Sequence, residues 1–135
     1  MNTLGLVAAV TAFMSIWIGH VMVRKIESIS QTIWLPMIIF TTLGLITEYC
    51  SLITDNLSLK TALGIIGIIL LWDSFEIYRQ QKRIIKGHAP ANPNNPRHEK
   101  ILKEYSSATT LDLLKREPTG SPLPVGEGLG VREKS

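Results

Sequence analysis

At 135 residues the chain has room for one small domain, and its single cysteine, Cys50, excludes an internal disulfide framework. Its 45% hydrophobic content and mean hydropathy of +0.19 average an oily front half with a polar tail. Up to Tyr78 there are three cations and five acids, whereas Arg79 to Glu117 holds nine cations and four acids, a net of +5. A basic tail is one signature of nucleic-acid binding, but this one directly follows an apolar stretch. In that position Lys and Arg mark the cytoplasmic side of a membrane and attract anionic lipid headgroups, so lipid rather than nucleic acid is the expected partner.

Three apolar stretches come first in chain order, Thr3 to Val23, Ile33 to Ile53 and Leu57 to Tyr78. Each is about 20 residues, which at about 1.5 Å per residue crosses a hydrocarbon core roughly 30 Å thick. The pattern predicts an all-α fold. A three-helix transmembrane bundle occupies 1–87, a cytoplasmic linker with short helices 88–117, and a disordered Gly- and Pro-rich tail 118–135. Met1-Asn2-Thr3 lacks a positive n-region, so the first span is expected to be a permanent helix rather than a cleaved signal. Arg24 and Lys25 in the first connection and Arg79, Lys82, Arg83 and Lys86 after the third span contrast with the cation-free loop Thr54-Asp55-Asn56. That bias predicts an external N-terminus and a cytoplasmic C-terminus.

On the first helix Gly5, Ala8, Ala12, Ser15 and Gly19 recur at steps of three and four, a small-residue stripe that lets two backbones approach closely. Thr41, Gly44, Glu48 and Ser51 form a looser stripe on the second helix, and Gly64, Gly67 and Ser74 another on the third. Nothing breaks the third helix before Gly87, which suits the left-handed C′ position, and Pro90 prevents continuation. It therefore projects beyond the membrane to about Lys86. After a proline-rich linker, Asn95-Pro96 reads as an N-cap and N1 proline opening a helix to about Ser107, with Ile101, Leu102 and Tyr105 on one side. A second short helix is expected from Leu111 to Arg116, capped by Thr109 or Thr110.

The residues able to carry chemistry are the ionisable ones inside the spans, His20, Glu48, Asp73 and Glu76, because charge in hydrocarbon is costly. Depth pairs His20 with Asp73 or Glu76, a proton-accepting pair or two arms of a metal site, and pairs Glu48 with Lys60. The structural alternative is favoured. These groups lie within about two turns of a helix end, and Glu76 has Arg79 at i+3 and Arg83 two turns on. At about 100° per residue Glu76 points opposite to Gly67, so it is expected to face a second subunit or the interface. His88 and His98 flank the linker and read as solvated. No catalytic or nucleotide motif and no metal-ligand spacing stands out, so neither enzyme activity nor a cofactor is expected.

A resemblance is carried by Gly19-His20, Lys25, Glu27, Trp34, Gly64, Gly67, Leu71-Trp72, Ser74, Glu76, Gln80, Arg83, Lys86-Gly87, Pro90, Asn92-Pro93 and Arg97. This pattern resembles domain-of-unknown-function family 4491, small bacterial integral membrane proteins. Asp73 and His88 depart from it, standing where less polar residues are expected. The resemblance implies three spans in a bacterial inner membrane and no particular reaction. A non-enzymatic membrane subunit or scaffold, meeting lipid, a second copy or a membrane protein partner, is the favoured expectation. A small oligomeric proton- or cation-coupled transporter with Glu48 as coupling site is the alternative.

Overall fold

The computed structural model describes residues 3–112. Its elements are α1 (Leu4–Ile29), α2 (Trp34–Ile53), α3 (Leu57–Ile85) and α4 (Pro96–Glu104), and the described residues contain no strand. The first three are long and apolar enough to cross a membrane, and the arrangement is compatible with a multi-pass membrane protein. Large apolar side chains such as Leu6, Phe13, Leu35, Leu52 and Ile68 are exposed, the pattern of helices that meet hydrocarbon rather than water.

Where each helix stops follows from its local chemistry. α1 runs past the end of its apolar stretch at Val23, because Arg24, Lys25, Ile26 and Glu27 are helix-compatible and no breaker occurs before Ser30. The end of a hydrophobic run marks an exit from hydrocarbon, and does not by itself mark a helix end. Pro36 sits in the first turn of α2, where its missing N–H would have no intrahelical partner. The Asn56 side chain accepts from the Leu59 N–H and caps α3. At the other end Gly87 adopts φ 74°, the Gly87 N–H donates to Ile84 O at 3.0 Å and the His88 N–H to Arg83 O at 2.8 Å, a Schellman ending.

Asn95 caps α4 by accepting from the Arg97 N–H, and Pro96 follows at the first helical position. The helix stops at Glu104, three residues short of the expected Ser107, because the chain turns back. Ala91 donates to Thr109 O at 2.8 Å, and the Ser107 hydroxyl donates to Ile85 O. Ile101 is buried and Leu102 half-buried as the helical period requires, but Tyr105 lies beyond the helix and is exposed. On the outer face Lys103 hydrogen-bonds Glu99 and holds its carboxyl below the usual carboxylate range, although an exposed i,i+4 pair adds little stability. Leu111 and Asp112 are not helical, and the rest of the second short helix expected there lies outside the described residues, as does the tail 118–135.

α3 is the central helix, with α2 on one side and α1 on the other. Contacts with α2 keep one antiparallel register: Thr41 meets Ser74, Gly44 meets Leu71, Glu48 meets Gly67 and Ser51 meets Gly64. Ser74 Oγ donates to Met37 O at 2.9 Å, so at the 2.8 Å contact with Thr41 it is the threonine that donates. The opposite face of α3 buries Asp73, Glu76, Ile77, Gln80 and Ile84. Val23, Ile33, Phe40 and Ile77 form a core where all three long helices meet, and Ile84, Ala91 and Ile101 form a second beneath α4.

Candidate functional site

Most of the buried polar groups gather where the C-terminal ends of α1 and α3 meet the start of α4. Gly19, Val23 and Glu27 are buried on α1 at steps of four, so the small-residue stripe continues into the charged end of the helix. The next position on that stripe is a carboxylate. Glu27 is 1% exposed, and its Oε1 accepts from Arg97 Nη2 at 2.8 Å and lies 3.1 Å from His98 Nε2. The Asn92 N–H donates to His98 Nδ1 at 2.9 Å, which assigns the ring proton to Nε2 and makes it a second donor to Glu27.

The same segment caps α1. The last carbonyls of a helix lack intrahelical partners and carry the negative end of its dipole. Here Arg97 Nη2 donates to Glu27 O at 2.6 Å, Asn92 Nδ2 to Ser28 O at 3.1 Å, and Asn95 Nδ2 to Ser28 O at 2.9 Å and Ser30 O at 2.8 Å. Arg97 Nε adds a bond to Ser30 O at 3.2 Å. Asn95 thus serves two helices, opening α4 through its oxygen and closing α1 through its nitrogen.

Between α1 and α3 a polar crevice is lined by His20, Arg24, Glu76, Gln80 and Arg83. The buried Glu76 carboxylate is held by Arg83 and, at 3.6 Å, by Arg79, while Arg83 Nη1 donates to Gln80 Oε1 at 2.9 Å. Glu76 therefore points opposite to Gly67, as the helical period requires, but meets α1 of its own chain. The expectation of a second subunit or a bare interface assumed one packed face on α3, and a central helix has two. Asp73 is buried against Gly19, whose missing side chain makes room for its carboxylate. His20 is exposed and faces the same cleft, with no hydrogen bond to Asp73 or Glu76.

Glu48 stands apart on the α2 side of α3. Its Oε1 is buried with no hydrogen-bond partner among the described residues, 2.7 Å from where a Cβ on Gly67 would lie. The expected pair with Lys60 is not formed. A hairpin symmetric about Asp55 would set Glu48 beside Ala62, within a turn of Lys60. The packed register sets it against Gly67 instead, two turns or about 10 Å along α3 from Lys60. Of the small residues on α1, Gly19 is buried, Ala8, Ala12 and Ser15 are half-buried, and Gly5 has no neighbouring atom within 4 Å of a Cβ position. Gly44 and Gly67 are buried in the α2–α3 contact, and Gly64 faces Ser51 there.

His98, expected to be solvated, is completely buried, whereas His88 is exposed. Reading residues one at a time missed the Glu27, Arg97 and His98 cluster. Its one local signal was the four-residue step from Val23 to Glu27. Among the described residues no group of three or more His, Cys, Asp or Glu side chains is placed to hold a metal.

The model of the family described as Domain of unknown function (DUF4491) matches residues 2–95. The chain belongs to this family. No curated protein and no solved structure matches it. Glu27, Glu76, Gln80, Arg83, Asn92 and Asn95 lie within the DUF4491 match, and Arg97 and His98 immediately follow it.

Proposed function

We propose that this DUF4491 protein is a non-enzymatic subunit or scaffold of a bacterial inner membrane, with its N-terminus outside and its C-terminus in the cytoplasm. The observation that carries this reading is how the ionisable groups near the stem are used. Glu27 is locked by Arg97 and His98, and Glu76 by Arg79 and Arg83. Glu27 ties α4 and the linker before it, together the cytoplasmic stem, to α1, and Glu76 is neutralised within α3, so both carboxylates are spent on structure, as suits a presenting platform. The basic helix ends support the orientation, and the resemblance supports the compartment. A reporter fused after Ser135 is expected to be active only in the cytoplasm. Activity outside would invert the topology.

One observation favours a second reading, a small oligomeric proton- or cation-coupled transporter. Among the described residues the buried Glu48 Oε1 has no donor, in a seam of two apolar helices, the setting in which an intramembrane acid serves as a coupling site. Extraction in mild detergent followed by native mass spectrometry separates the two. The scaffold reading expects one partner at fixed stoichiometry and no pH-driven flux in vesicles. A bare homo-oligomer whose flux is abolished by Glu48→Gln would replace it with the transporter.

A further inference from the structure

Three adjoining cavities follow the α1–α3 seam, each sharing bordering residues with the next, and together they form a cleft that changes character along its length. Toward the middle of the helices it is a largely apolar groove of about 670 Å³ walled by Ile16, Ile68, Leu71, Trp72 and Phe75, with the buried Asp73 also in its wall. His20 borders both this groove and the polar crevice of Arg24, Gln80 and Arg83. Those three residues in turn border a wider opening of about 750 Å³ that Lys25 and His88 also line. Ile16 and Arg24 are eight residues apart on one helix, about 12 Å along its axis, close to the roughly 15 Å depth of one leaflet's hydrocarbon.

Among the described residues the basic end has unused capacity. There Arg24 uses only Nε, on the His20 carbonyl, and neither Arg24 nor Lys25 lies within ion-pair distance of an acid. Of the acids that line the same cavities, Glu27 is paired with Arg97 and Glu76 with Arg83, and Asp112 borders the wider opening, at more than ion-pair distance from both cations. We infer that the cleft binds one anionic phospholipid, an acyl chain in the groove and the phosphate at Arg24 and Lys25. A zwitterionic headgroup would bring its own cation back into the same basic opening, which selects a lipid of net negative charge. The inference rests on the bilayer reading above and on none of its partner claims.

The test uses the full chain in nanodiscs of mixed phosphatidylglycerol and phosphatidylcholine, with tightly held lipid counted by native mass spectrometry after extraction. Phosphatidylglycerol is expected to be retained selectively, and Arg24→Gln and Lys25→Gln each to lower its retention about fivefold. Lys82→Gln removes the same charge, but that ammonium lies over the Tyr78 ring outside the cleft, and retention should not change. Ile16→Trp fills the groove and should reduce retention with the charge intact. Equal losses for Lys82→Gln and Arg24→Gln, equal retention of the two lipids, or an inert Ile16→Trp would each overturn the site. A chain that does not enter nanodiscs would remove the bilayer reading with it, whereas entry without selective retention removes only this inference.

Discussion

Arg97→Ala is expected to destabilise the stem by about 3 kcal/mol, the low end of what breaking one side of a buried ion pair costs. Among the described residues the change leaves Glu27, 1% exposed, with His98 as its one remaining side-chain partner, and it strips a donor from the Glu27 and Ser30 carbonyls. Because these bonds tie α4 to α1 across 70 positions of chain, the loss is concentrated in the docking of α4. Trypsin should then cut at Lys100 and Lys103 much faster than in the parent, while the three long helices remain resistant in detergent. A double-mutant cycle of Glu27→Gln with Arg97→Gln should recover part of the loss, since together they remove both charges. An Arg97→Ala protein with unchanged melting and a protected α4 would show that the ion pair does not hold the stem.

How far the sequence reveals this arrangement depends on the range of the interaction. The three long helices are legible because hydropathy integrates over about 20 residues and no neighbour is needed to interpret it. Gly87 is legible for a local reason too, since a left-handed residue after a long helix and before Pro90 has few alternatives to glycine. The Asn95-Pro96 opening of α4 belongs to the same class.

Glu27, Arg97 and His98 are a different matter. Each reads by itself as a solvated charge near a helix end, and only the return of the linker onto α1 makes them a buried unit. His98 illustrates the error. A lone imidazole beside a proline-rich segment gives no sign that a backbone N–H on one side and a carboxylate on the other will enclose it. The Glu48 and Lys60 expectation failed through register, which a three-residue loop does not fix to better than a turn or two. Gly67 decided it, because a position without a side chain admits the carboxylate where any larger residue would exclude it.

That register gives the last prediction. A Cβ on Gly44 would lie 2.8 Å from Leu71 Cγ and 3.0 Å from the Gly67 carbonyl oxygen, and the second of these is backbone that cannot rotate away. Gly44→Leu should therefore push α2 from α3, disturbing the Thr41 to Ser74 hydrogen bond one turn away, at a cost of about 3 kcal/mol, the upper range for overpacking. Insertion should be unaffected, because leucine is at least as apolar as glycine. Gly5→Leu is the matched control: the same substitution on an apolar helix, at a site with nothing within 4 Å. Thermal melting in a mild detergent should separate the two variants widely, with Gly5→Leu close to the parent. If instead they melt together, α2 and α3 are not held by close backbone approach at Gly44, and the shared register of Gly44, Glu48 and Ser51 against α3 loses its physical basis.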